Sequence, residues 1–374
     1  MIEFLLLLFV LLFALFVGIY GIYFVCVSVW AKRPWGITID NHFQSKVSIL
    51  IPVHNEEKTI TDKLENIKSV DYPKENIEII VTDDASDDDT LQTVKSFTEL
   101  NPVLNIRVVE NNVRMGKSVA LNGALPFSSN DVVIVSDADT QWPEDMLRKT
   151  LPYLADSKVG AVTCRGVNRN RGETWVTKGE DTYLHFTNLI RLGESKLHST
   201  IRFEGGFCAF KKNAFDRFDA ETGSDDSGTA LKVVQRGYRA IMVPDAVFYT
   251  AFPTLFADKL KTKARRATQL VSLWTKCSNL LFQRRLLLPK KIVIPELLLF
   301  TLSPLILAGL IVTTASAILL SPFSLFTLSV LLFVGCLLIL ARRTFIEVLV
   351  DNFVLFYSLL SNVRGRRYTV WEKS

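Results

Sequence analysis

The chain has 374 residues, enough for one large domain or two ordinary ones, and 49% of them are hydrophobic, which is high for a purely soluble protein. The formal net charge of +5 gathers beside apolar segments and is no nucleic-acid footprint. Five cysteines without C-x-x-C spacing and four histidines outside any zinc-like array speak against a disulfide scaffold or a zinc module; the cysteines read as small buried hydrophobes.

In chain order, residues 4–30 carry no charge, a run long enough to cross a bilayer as a helix. It has no basic n-region and no small-residue cleavage site follows it, so a retained anchor is expected rather than a signal peptide. The next 250 residues or so (35–291) form the central domain, and its first half alternates apolar runs with helical patterns. KVSILIPV (46–53), NIEIIVT (76–82), NIRVVE (105–110) and DVVIVSD (131–137) are predicted strands. Helices are predicted between them, the first from Asn55 as N-cap. Near-continuous apolar strands separated by helices predict an α/β domain with a parallel sheet covered on both faces.

Residues 297–341 are again uncharged, too long for one span and broken at Ser321-Pro322, which predicts a helical hairpin, 292–320 and 323–341. Basic clusters AKRPW (31–35), QRRLLLPKK (283–291) and ARR (341–343) flank the three apolar segments. Placing all three in the cytoplasm puts the N-terminus outside and the central domain inside. The apolar stretch 345–360 differs: Glu347, Asp351 and Ser358 recur at helical spacing, and a fourth span would push RGRR (364–367) outside. An interfacial or bundle-packed helix is expected there. The chain thus divides into an anchor (1–34), a cytoplasmic domain (35–291), a membrane hairpin (292–341) and an interfacial helix with a basic tail (342–374).

In an open parallel sheet, ligands sit beyond the carboxyl ends of the strands. That rim collects HNEE (54–57), VTDDASDDDT (81–90), the RMGK loop (114–117) and DADT (137–140). Asp83 and Asp84 directly follow a buried strand, where a carboxylate can accept a hydrogen bond from a nucleobase imide; helix capping accounts for Asp87 and Asp88 more readily. Gly116 and Lys117 open a helix, whose free N–H groups and an ammonium suit phosphate, or else form a plain turn with a solvated lysine. Asp137 and Asp139 offer hard oxygens to a divalent cation such as Mg2+ or Mn2+, which keeps its other sites for water and phosphate. Different chemistries on one rim point to a nucleotide-diphosphate site.

These stretches, in order, resemble the family-2 glycosyltransferases, inverting enzymes with a Rossmann-like nucleotide-diphospho-sugar (GT-A type) fold. ILIPVHNEE, containing Pro52, Asn55 and Glu56, looks like their opening strand and turn, VTDDASDDDT their base-binding loop, RMGKSVALN their Gly-Lys helix and SDADT their metal-binding Asp-x-Asp. FEGGFCAFKKNAF (203–215) resembles their Gly-rich strand, and GSDDSGTALKVVQRGYRAIMVPDA (223–246) the segment with an acidic pair. The resemblance, over roughly 47–274, implies that Asp226 is the general base, with Asp225 beside it. Two departures stand out. The pair is Asp-Asp rather than Glu-Asp, and the Gln-x-x-Arg-Trp motif of processive polysaccharide synthases is absent from KLKTKARRATQLVSLW (259–274). There Arg265 and Arg266 are placed to hold diphosphate, or else belong to a membrane-surface helix. The expected reaction is sugar transfer from a nucleotide sugar, with inversion, to a membrane lipid or lipid-linked acceptor. Processive polymer synthesis and a catalytically silent partner subunit are the alternatives.

Overall fold

The computed structural model describes residues 2–364; the expected basic tail beyond Arg364 lies outside them. Helix α1 (Ile2–Ala31) precedes a domain in which β1 (Val47–Val53), α2 (Ile60–Ser69), β2 (Ile77–Asp83), α3 (Thr90–Leu100), β3 (Asn105–Glu110), α4 (Lys117–Ala124) and β4 (Val132–Val135) alternate. The second half contributes α5 (Met146–Thr150), β5 (Val159–Asn168), α6 (Trp175–Leu197), β6 (Cys208–Lys211), α7 (Asp225–Gln235), β7 (Arg239–Thr250) and α8 (Phe256–Phe282). Helices α9 (Lys290–Leu297), α10 (Ser303–Leu320), α11 (Leu325–Leu340) and α12 (Arg342–Val363) complete it.

The strands form one seven-stranded sheet in the order β3-β2-β1-β4-β6-β5-β7. The first four are parallel, as their apolar runs predict, and β1, β2 and β4 are buried at every position. Beyond these four, β6 is antiparallel to both β4 and β5. The register gives the reason: β6 begins at Cys208 opposite Val135, where β4 ends, so it starts at the rim and can only run back. Pro52 is tolerated in this central strand because β4 pairs only as far as Leu50, leaving no ladder donor to be lost on that side.

Alternation along the strands divides the core into two. Val47, Ile49, Ile51 and Val53 join the α2–α3 side, whereas Leu50 faces the α4 side. The second core is continuous with the apolar helices: Tyr23 and Val27 of α1, Trp274 of α8 and Ile292 of α9 all belong to it. The domain is thereby seated on its apolar helices rather than tethered to them. All five cysteines are free thiols.

Among the described residues, three helices are long and apolar enough to cross a membrane: Ile2–Ala31, Lys290–Leu320 and Arg342–Asn362. The second is continuous through Pro295 and a π-helical segment, Leu298–Leu302. The expected third span is the shorter α11, of 16 residues, and the stretch expected to be interfacial is long enough to span. Helix α12 packs on the domain through its polar residues. It runs beside α8, with Asp351 on Lys263, Ser358 on Thr268 at 3.2 Å and Asn362 on Thr275 at 3.3 Å. Its polar stripe faces inward.

Candidate active site

Parallel pairing places the carboxyl ends of β1, β2 and β3 together: Val53 lies opposite Asp83 and Asp83 opposite Glu110. A cavity of about 650 Å³ opens beside the end of β4, within the range of small-ligand sites. Glu56, Lys117, Asp137, Asp139, Asp225, Asp226, Arg265 and Arg266 all line it. Pro52, Asn55, Asp83, Asp84 and Gly116 are not among its lining residues; they belong to the carboxyl ends of β1 to β3 and the loops that follow.

Those loops are held by side chains. Asn55 is not the cap of α2, which begins at Ile60; it sits in the left-handed region (φ 57°), where Asn is tolerated, and its Oδ1 accepts the Asp87 N–H at 3.0 Å. Asp83, buried, accepts from Ser86 Oγ at 2.5 Å and from the Ser86 N–H. Asp84, also buried, accepts from the N–H groups of Met115 and Gly116 at 3.0 and 2.7 Å and from Asn111 Nδ2 at 3.0 Å. The N–H of Gly116 is thus committed to Asp84, contrary to the expectation of a free phosphate-binding donor. Glycine is needed there for a different reason, its φ of 89°.

At the centre, Lys117 Nζ bridges Asp137 at 2.7 Å and Asp225 at 3.1 Å. Facing this ammonium, Asp137 is held below the ordinary carboxylate range despite burial. Burial, with Asp226 and Asp137 adding repulsion, pushes Asp225 up to about 6. Asp139 is exposed in the cavity; desolvation by its surroundings, then the Asp137 and Glu56 charges, push it up to about 6. Helix α7 begins at Asp225, so the acidic pair occupies its first turn. Asp226 Oδ1 accepts from Ser224 Oγ and the Ser227 N–H, both at 2.6 Å. Gln269 Nε2 of α8 donates to Gly223 O at 2.5 Å and ties that helix to the turn before the pair.

The structure separates the two arginines. Arg266 reaches Glu180 at 3.5 Å and is half exposed. Arg265 makes no ion pair among the described residues, although Asp137, Asp225 and Asp139 all act on it electrostatically. It is the cation turned toward the acids with capacity for another anion. A divalent ion fits the acid cluster, because Asp137 and Asp139 are hard donors whose mutual repulsion a cation relieves. No group of three or more His, Cys, Asp or Glu side chains suited to a metal converges among the described residues, so other ligands must come from substrate and water.

Several wall residues escaped the sequence reading. A Cβ on Gly205 would stand 2.7 Å from both Asp137 Oδ2 and Lys117 Nζ, so any side chain there displaces the ion pair. The Gly-Gly run signals this place. Lys63 is fully buried, donates to Thr140 O at 3.0 Å and lies over the Trp142 ring, supporting the 137–142 loop from behind. Its signal was a lysine on the apolar stripe Ile60, Leu64, Ile67. Arg191, with Glu204 at 2.7 Å, and Arg202, paired with Glu296 of α9, had no local signal.

A parallel half-sheet is thus extended by a mixed half that brings an acidic helix start to the same cavity. The model for glycosyl transferase family 2 matches residues 48–218. A probable glycosyltransferase, YdaM of Bacillus subtilis (strain 168), is 30% identical over 237 residues, covering 61% of this chain and 56% of that protein. The poly-beta-1,6-N-acetyl-D-glucosamine synthase of Staphylococcus aureus (strain COL) is 28% identical over 225 residues, 59% of this chain and 53% of that one. The chain spans about half the length of these curated relatives. The solved mannosyltransferase PcManGT from Pyrobaculum calidifontis, in complex with GDP-Man and Mn2+, superimposes with a TM-score of 0.84 at 30% identity, covering 97% of this chain and all of that one. The chain belongs to glycosyl transferase family 2.

Proposed function

We propose that this glycosyltransferase moves a hexosyl group, with inversion and with divalent-metal assistance, from a nucleotide sugar to a membrane-associated acceptor: a polyprenyl phosphate, a lipid-linked saccharide or a glycolipid. The observation that carries the reading is the Lys117 bridge, which joins the end of β4 to the acidic start of α7 in one cavity facing Arg265. Asp83 is assigned to the nucleobase, while Asp84, Asn55 and Gly116 shape the loop around it. Lys117 and Arg265 stabilise the diphosphate as the anomeric C–O bond breaks and negative charge grows on the leaving group. Asp226 takes the proton from the acceptor hydroxyl or phosphate on the opposite side, and Asp225 holds Lys117 in place. Asp137 and Asp139 would hold Mg2+ or Mn2+, which when bound supplies further charge neutralisation at the diphosphate. The relative solved with GDP-Man and Mn2+ supports donor class and metal.

The continuity of the domain core with α1, α8 and α9 supports an acceptor presented at a membrane. The basic clusters support a cytoplasmic domain and an external N-terminus, and the four-part division of the chain stands with them. The likeness to a poly-N-acetylglucosamine synthase favours a second reading, repeated transfer to a growing polymer. The missing Gln-x-x-Arg-Trp motif weighs against it, and retention of every expected acid weighs against a silent subunit. Purified full chain in lipid vesicles, given a panel of labelled nucleotide sugars with and without EDTA, tests the proposal. Label in a lipid extract supports single transfer, a polymer supports the second reading, and no transfer from any donor refutes both.

A further inference from the structure

We propose that Glu347 and Asp351 of α12 are positioning residues for Arg265, acting through the lysine face of α8. The inference rests on the reading that Arg265 meets the donor's diphosphate. Helix α8 carries two adjacent polar stripes. Thr262, Arg265, Arg266 and Gln269 line the cavity. Lys259 and Lys263, one turn apart, lie on the neighbouring stripe beside Arg266 and are buried, a costly place for two ammonium groups. Lys259 Nζ is 2.5 Å from Glu347; Lys263 Nζ is 3.1 Å from Glu347, 2.5 Å from Asp351 and 3.5 Å from Glu180 of α6. Glu180 in turn reaches Arg266 at 3.5 Å.

Lys259, Lys263 and Arg266 thus oppose Glu347, Asp351 and Glu180, three charges against three, and Arg265 is left over on the cavity side. A buried pair is weak evidence for stability, but breaking one strands a charge, so the network specifies one arrangement. Here it fixes the rotation of α8 about its axis. At about 100° per residue, a modest roll carries Arg265 off the diphosphate position. Gln269 fixes the same helix to the acidic turn, so α12, α8 and the catalytic rim form one contiguous chain of contacts.

The test measures uridine and guanosine diphosphate affinity, and separately uridine and guanosine affinity, on the full-length protein. Glu347→Gln is expected to weaken the preferred diphosphate about tenfold, with the matching nucleoside changed less than twofold. In an Arg265→Gln background the same substitution should add nothing, since its effect passes through the missing guanidinium. If Glu347→Gln does not yield folded protein, Asp351→Asn, at a partly exposed side chain, carries the same comparison. Equal weakening of nucleoside and diphosphate, unchanged diphosphate affinity, or losses that add to Arg265→Gln would each overturn the inference. A silent Arg265→Gln would instead overturn the donor-phosphate reading on which it rests.

Discussion

Lys117 and Asp225 are separated by more than a hundred residues, yet the ammonium of one lies 3.1 Å from the carboxylate of the other. The same ammonium holds Asp137 at 2.7 Å, so one lysine fastens the parallel half of the sheet to the helix that carries the proposed base. Each acid is partly neutralised by the lysine, and the lysine's own protonation is reinforced by both acids against the effect of burial.

Asp226→Asn separates a base from a helix-start acid. Loss of a base lowers turnover by about two orders of magnitude or more with donor affinity little changed. Loss of a helix-start acceptor costs about 1 kcal/mol of stability and leaves the chemistry nearly intact. Transfer rate, donor titration and thermal unfolding on one preparation decide between them; near-normal transfer withdraws the catalytic assignment.

Asp139→Ala should abolish the divalent dependence of donor binding in a folded protein and lower transfer by roughly 100-fold. Calorimetric titration with donor, with and without EDTA, reads it. A variant that still binds donor more tightly with the metal than without would show that the ion is held elsewhere.

Gly205→Ala places a methyl group against the Lys117–Asp137 pair, where the ends of two flexible side chains must move. Donor affinity should fall about tenfold, or ~1.4 kcal/mol, while the melting temperature changes by only a few degrees. Unaltered affinity would mean that this ion pair is not part of the donor site.

Glu194 gives the fold a pH dependence. It accepts from Tyr23 of α1 at 2.6 Å and from Thr200 at 2.6 Å. Burial first, then Glu296, push its acid up to about 8, while Arg202 opposes the rise. A carboxyl whose pKa is higher folded than unfolded holds its proton preferentially in the native state. Its stabilising contribution is complete below the unfolded value, near 4.5, and is lost as pH rises toward 8. Thermal stability of the full chain in detergent should therefore fall between pH 5.5 and 8, and Glu194→Gln should flatten that slope. An unchanged slope in the variant refutes the assignment.

Strand periods were legible because β1, β2 and β4 are buried on both faces and read as unbroken apolar runs, and each rim acid follows such a run directly. The antiparallel course of β6 was not, since a four-residue strand carries no record of its direction. Asn55 misled for a local reason. Asn and Asp serve equally as caps, as left-handed turn residues and in first turns, and only the backbone angles tell these apart.

The sequence by itself determined the alternation of strands and helices, the apolar segments and the chemical types gathered at the rim, because periodicity and residue chemistry are local properties. Only the tertiary structure decided which cation meets which acid. It turned Gly116 toward Asp84, set Arg266 on Glu180 while leaving Arg265 to the cavity, and folded the acidic stripe of α12 against the lysines of α8. Ion pairing depends on distances between groups far apart in the chain, and those distances exist only once the two hydrophobic cores have fixed the helices in place.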